Sequence, residues 1–147
     1  MDDAAATITY QSAGGVVVDQ TGDHVLLLIR PSRDEVRLPK GHIEPGEALE
    51  ETAVRETQEE AGYRDLQIVA DLGEQLVTFL LDGRIVRRNE RYFLMQAQSM
   101  ARIERPAHDE EQFFAVWVPW PEVQEHLTFE AEREWVRRAC RAWEAIG

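Results

Sequence analysis

Arg55-Glu56 followed by Glu59-Glu60 is the stretch of this sequence best equipped for chemistry. On a helix of 3.6 residues per turn, Glu56 and Glu60 lie about 40° apart and Glu59 falls on the other side of Glu56, so the three carboxylates share an arc of about 100°. Carboxylates held that close repel one another unless a cation sits between them. Hard divalent cations such as magnesium take oxygen ligands of this kind. An acidic helix face is more often simply solvated, so the surrounding elements decide between the two readings. Pro45-Gly46 supplies a turn just before the cluster, and Glu47 suits the positive end of a helix dipole. Val54, Thr57 and Ala61 form a separate small-residue arc able to pack on a sheet. Gly62 suits a C-terminal cap. The stretch 47–61 therefore has a start, a packing face, a charged face and a stop, and reads as a metal site built on one helix.

The elements that must position this helix follow from hydrophobic patterning. Residues 13–18 and 24–30 are rich in Val, Leu and Ile around a turn at Gly22, which predicts a hairpin. Residues 31–46 carry the prolines and glycines of a loop. Two strand segments are expected at 66–72 and 74–81, and Asp82-Gly83 is a tight-turn signal leading to a further strand over 85–98. A polar loop precedes a strand at 113–118, and a short helical or turn segment follows at 119–127. The last helix, 129–146, carries Trp135, Val136, Ala139, Trp143 and Ile146 on one stripe. Strands around one internal and one terminal helix give an α/β sandwich.

Composition agrees with a single compact domain over residues 1–147. The formal charge of −12 argues against nucleic-acid or membrane-surface partners and leaves a small molecule as the expected one. An acidic protein acting on an anion needs metal ions or a local basic pocket. Cys140 is the only cysteine, so neither an internal disulfide nor a cysteine-rich zinc site is expected. Met1-Asp2-Asp3-Ala4 does not open like a signal peptide, and the aliphatic run Val25–Ile29 is too short to span a bilayer. The expected setting is a reducing cytoplasm.

Gly41, Glu47, Arg55-Glu56, Glu59-Glu60 and Gly62 together resemble the signature box of the Nudix hydrolases at every fixed position. Thr57 and Tyr63 depart from it, standing in slots where that family has aliphatic residues. Ser12–Val18 and the Leu38-Pro39-Lys40-Gly41 lead-in are also similar. The resemblance implies an α/β/α sandwich around a mixed sheet, and hydrolysis of a nucleoside diphosphate linked to another group with Mg2+ or Mn2+ as cofactor. It implies that Glu56, Glu59, Glu60 and the Gly41 carbonyl bind metal, and that Glu47 and Arg55 form a supporting pair. Pro39–Glu47, the Glu111–Trp117 segment and Leu127–Glu130 look most like the diadenosine tetraphosphate hydrolase branch. That makes a dinucleoside polyphosphate the leading substrate, ahead of a modified nucleoside triphosphate. A non-catalytic nucleotide sensor is disfavoured because no carboxylate of the box is missing.

Outside the box the readings stay open. The general base is Glu56 or, from the Asp109-Glu110-Glu111 run, Glu111, which is preferred to Glu110 because its spacing to Trp117 resembles the corresponding segment of the diadenosine tetraphosphate hydrolases. Lys40 precedes Gly41 and is expected to aim its ammonium at the metal cluster, with Arg30 and Arg33 further along the phosphates. Tyr92 stands where a related segment has a base-stacking aromatic, although an aromatic in a strand is more often core. His24, His42 and His108 carry no partner pattern.

Overall fold

A computed structural model describes residues 7–147. The chain runs β1 (Thr7–Val18), β2 (His24–Arg30), a 3-10 turn, β3 (Glu35–Arg37), β4 (Lys40–His42), α1 (Leu49–Ala61), β5 (Leu66–Leu81) and β6 (Arg84–Ala97). It ends with α2 (Ala107–Gln112), β7 (Phe114–Pro119), α3 (Trp120–His126) and α4 (Glu130–Ile146). The strands form one mixed seven-stranded sheet in the order β3-β2-β1-β6-β5, with β4 paired to β1 and β7 to β2. Among the described residues only β1 and β6 run parallel, in register from Thr7↔Ile85 to Val18↔Gln96. Among the described residues no helix is long and apolar enough to cross a membrane.

Strand alternation sorts β1 and β2 onto two faces. Val16, Val18, Val25 and Leu27 pack with Trp135, Val136 and Ala139 of α4. Ala13, Val17, Leu26 and Leu28 pack with Ala53 and Ala61 of α1. Helices therefore cover both faces of the sheet, the expected α/β/α sandwich. On the α4 stripe, Ile146 departs from expectation: it is exposed at the chain end.

α1 begins at Leu49, two residues later than predicted, because Pro45-Gly46 holds the chain in a turn and Ala48 is the N-cap. Ala48 donates its N–H to Glu51 Oε1 at 2.8 Å, which serves one of the amides that a helix start leaves unpaired. The helix stops at Gly62, whose φ of 80° is costly for any residue with a Cβ. The two departures from the box are both absorbed by hydrogen bonds. Thr57 is buried and donates to Ala53 O at 2.7 Å, and the Tyr63 hydroxyl accepts from Trp117 Nε1 at 3.0 Å.

Three further differences bear on the site. The expected loop 31–46 contains β3 and β4, each three residues long and so beyond detection by periodicity. β5 is one strand of 16 residues rather than two, with register shifts between Ile68 and Ala70 and between Asp71 and Glu74 that bend it. Its distal half pairs with β6 around the Asp82-Gly83 turn, where Asp82 takes a left-handed φ of 51°. The expected polar loop before β7 contains α2.

Candidate active site

Arg55 organises the acidic face of α1. Its Nε donates to Glu47 Oε2 at 2.7 Å, and its Nη2 reaches the His42 carbonyl at 3.2 Å. Thr52 Oγ1 completes the Glu47 contact at 2.6 Å. These bonds tie the turn before the helix to the helix itself, and the Arg55 guanidinium holds the Glu47 carboxyl down at about 2. The Arg55 Nη1 nitrogen lies 2.9 Å from Glu56 Oε1 and 2.6 Å from Glu59 Oε1. Two of the three carboxylates thus already bracket a positive centre.

Glu60 lies deeper. It is buried, and its Oε1 accepts the backbone N–H of Lys40 at 3.0 Å. Burial raises its carboxyl to about 8, with the Glu56 charge adding to the rise. Burial also raises Glu56. Gly41 packs directly on Glu56: a Cβ at position 41 would stand 2.0 Å from the Glu56 carboxyl carbon. Any side chain there would displace the carboxylate. An all-oxygen donor set, a buried carboxyl lacking a counter-charge in contact and a glycine cradle fit a hard divalent cation. Glu122, Glu125 and His126 on α3 bring their ligand atoms within 4.8 Å of one another, but all three are exposed and nothing else points to an ion there.

Lys40 and Gly41 are neighbours in β4 and therefore face opposite ways. The expectation that the Lys40 ammonium aims at the acidic cluster is overturned. Its Nζ lies 3.4 Å from Glu132 Oε2 of α4, with both side chains buried. Burial lowers the Lys40 pKa and raises that of Glu132, each partly offset by the other's charge. Glu132 Oε1 accepts from Leu38 N at 3.0 Å. Only the Lys40 backbone meets the cluster.

That side chain opens on a cavity of about 370 Å³. Arg30, Arg33, Arg37 and Arg88 line it along with Lys40, against the acids Glu35, Glu90 and Glu132. Arg30 and Arg37 both stack on the Phe113 ring, at 5.8 and 5.5 Å, and the Nε of each is buried without a hydrogen-bond partner. In a chain of net charge −12 this is a local excess of cations. Arg37 is also an electrostatic neighbour of Glu60, so the cavity adjoins the carboxylate cluster.

Tyr92 is not a surface for a base. It is fully buried and stacked on Trp135 with ring centroids 4.7 Å apart and planes at 15°. Alternation along β6 puts it on the α4 face with Glu90 and Leu94, inside the core. Its hydroxyl has no hydrogen-bond partner. Tyr92→Phe should accordingly leave stability and activity within about twofold or raise stability, because it removes an unsatisfied buried polar group; chemical denaturation and steady-state rates check this.

Glu111 is exposed, and it is Asp109 of α2 that approaches the cluster. Asp109 is half-buried, and its pKa is raised first by burial and then by the Glu59 charge. Residues two apart on a helix point about 200° from each other, so Asp109 and Glu111 cannot share a face. Arg105 fixes α2 in place: its Nη1 donates to the Glu60 carbonyl at 3.2 Å and the Phe113 carbonyl at 2.9 Å. Sequence reasoning also missed Glu90 and Glu132. Each stands among core residues, Glu90 two before Tyr92 and Glu132 three before Trp135, and that interruption of an apolar face was the available signal.

The NUDIX domain family model matches residues 9–139. The putative mutator protein MutT4 of Mycobacterium tuberculosis is 36% identical over 135 residues, 86% of this chain and 53% of that protein. An RNA pyrophosphohydrolase of a Wolbachia from Brugia malayi is 30% identical over 96 residues, 59% of this chain and 60% of its own length. The chain thus spans about half to three-fifths of these curated relatives. Among solved structures, a Caenorhabditis elegans Ap4A hydrolase binary complex superposes with a TM-score of 0.71 at 21% identity, covering 94% of this chain and 99% of that one.

Proposed function

Since the chain belongs to the Nudix family, we propose that it is a metal-dependent hydrolase that cuts a phosphoanhydride bond in a nucleoside polyphosphate. The observation that carries this reading is the carboxylate cluster of α1 adjoining a cation-lined cavity through Lys40-Gly41. Glu56, Glu59 and Glu60, with the Gly41 carbonyl, would hold Mg2+ or Mn2+, an ion that when bound offsets phosphate charge and lowers the pKa of water. Arg55 orients Glu56 and Glu59 and holds the preceding turn to the helix. Glu56, raised by burial, accepts the proton of the attacking water. Asp109 replaces Glu111 as the second candidate for that role. Arg30 and Lys40 face the phosphates from the cavity.

The leading substrate is diadenosine tetraphosphate or a related dinucleoside polyphosphate, supported by the Pro39–Glu47 lead-in and by a cation-lined cavity of about 370 Å³ beside the carboxylates. The second reading, a pyrophosphohydrolase of modified nucleoside triphosphates, is favoured by the identity with MutT4. A panel of dinucleoside polyphosphates, nucleoside triphosphates, nucleotide sugars, ADP-ribose and 5′-triphosphorylated RNA, assayed with Mg2+ or Mn2+ and with products identified, separates them. Tight nucleotide binding with no member cut would replace both readings with a sensor. For the base, Asp109→Asn is expected to lower kcat by about 10²-fold or more if Asp109 moves the proton and to leave it near wild type if Glu56 does. Glu111→Gln should leave kcat unchanged in either case.

A further inference from the structure

β5 ends one side of the sheet. It pairs with β6, and among the described residues no strand pairs with its other edge. The turn into β6 has two residues with positive φ, Asp82 at 51° and Gly83 at 76°, so Leu81↔Arg84 is the closing hydrogen-bonded pair. Pairs along an antiparallel ladder alternate in hydrogen bonding. Val77, Phe79 and Leu81, which line the cavity with their side chains, therefore bond to β6. Leu76, Thr78 and Leu80 turn their N–H and C=O groups outward.

The two halves of this edge are treated differently. Upstream, the carbonyls of Leu72 and Glu74 accept from Arg138 Nη1 of α4 at 3.2 and 2.9 Å, and Asp71 and Glu74 pair with Arg91. Downstream, among the described residues, no backbone or side-chain group reaches the outward groups of Leu76, Thr78 and Leu80. Edge strands are normally guarded by charges or proline. Gln75–Leu81 has neither, and Leu76 and Leu80 are 64% and 74% exposed. We propose that this half of β5 is a homodimer interface, in which Gln75–Leu81 of two copies pair antiparallel about a two-fold axis at Thr78.

The edge is complementary to itself. With Thr78 opposite its own counterpart, Leu76 meets Leu80 of the second copy, and every residue that turns its backbone outward faces another that does the same. The side-chain pairs on the exposed face are then leucine on leucine and threonine on threonine, both favourable across strands. Charge selects the same place. Two chains of net charge −12 repel each other, so a contact between them needs a stretch free of acids. Gln75–Leu81 is uncharged. Beside it β6 carries Arg84 and Arg87, both exposed and without an ion pair among the described residues, against the one acid of the turn, Asp82. Pairing uses up this edge in both copies, so the assembly closes at a dimer.

Sedimentation velocity on the full chain should show a reversible monomer–dimer equilibrium in the micromolar range, because a single strand pairing lies at the small end of specific interfaces. Amide exchange at Leu76, Thr78 and Leu80 should slow as the protein concentration rises. Thr78→Glu sets two carboxylates opposite each other and should raise the dimer dissociation constant about tenfold or more, and Thr78→Lys should do the same with two ammonium groups. Mixing the two variants should restore a heterodimer, a rescue that a folding defect could not produce. Thr78 is exposed, so neither substitution touches the core. A wild type that stays monomeric, a dimer that neither variant weakens, or variants that fail to recover on mixing each overturn the proposal. Every readout is of association alone, so the hydrolase reading stands or falls separately.

Discussion

Glu60→Gln should lower metal-dependent kcat by about 10³-fold, with the fold intact by circular dichroism. A bound divalent ion contributes several kcal/mol of transition-state charge stabilisation, and each 1.36 kcal/mol is a factor of ten in rate. Glu59→Gln should lose turnover on a similar scale, because Glu59 is the second carboxylate that brackets Arg55 Nη1. The Glu60 variant carries its own control. With a folded-state pKa of about 8 against an ordinary 4.5, the folded protein keeps this proton where the unfolded chain has released it. Metal-free stability contributed by Glu60 is therefore complete below about pH 4.5 and is lost as pH rises towards 8. Gln mimics the protonated carboxyl, so the variant should match wild type in a melt at about pH 4.5 and lack the decline, melting above wild type as pH rises towards 8. Wild-type turnover in either variant would falsify the metal assignment.

The largest expected effect on stability is at Trp135. Its fully buried ring stacks on Tyr92, supports Arg138 at 4.8 Å and donates to Glu90. Removing a buried Trp costs about 3–5 kcal/mol, set against a total of about 5–15 kcal/mol for a domain. Trp135→Ala should therefore leave the chain near the edge of folding, as a large drop in the urea midpoint. Trp135→Phe keeps most of the volume but leaves Glu90 Oε1 without its donor, which costs about 1–3 kcal/mol. A loss under about 1 kcal/mol for the Ala variant would mean that the Tyr92–Trp135 stack is not core.

The helix and its charged face were legible because local rules determine them. Pro45-Gly46, the Arg55–Glu60 spacing and Gly62 each act within a turn of one another. The α/β sandwich followed from blocks of Val, Leu and Ile. What escaped was set by partners far along the chain. β4 is three residues long, and it exists because it pairs with Ser12–Gly14 of β1. The direction of Lys40 depends on Glu132, which stands 92 residues later. Tyr92 looked like a candidate for stacking until the parallel pairing of β1 and β6 carried it under α4. Glu111 is exposed and Asp109 is the residue of α2 that senses the Glu59 charge, since spacing to Trp117 carries no information about which side of a helix a residue faces.

The brevity of β4 has an evolutionary consequence. Its successive residues serve two masters: Gly41 abuts the Glu56 carboxylate and Lys40 turns to Glu132 across the sheet. A mutation that shifts this strand disturbs reactivity and ligand preference together, which makes it a poor place for divergence. The distal hairpin is the opposite. It extends past the bend at Asp71–Glu74, touches the cavity through every second residue and leaves the others in solvent. Paralogues that acquire new substrates should therefore vary at positions 77, 79 and 81 while positions 40 and 41 stay fixed, a pattern that directed evolution with a selectable substrate would recover within the hairpin first.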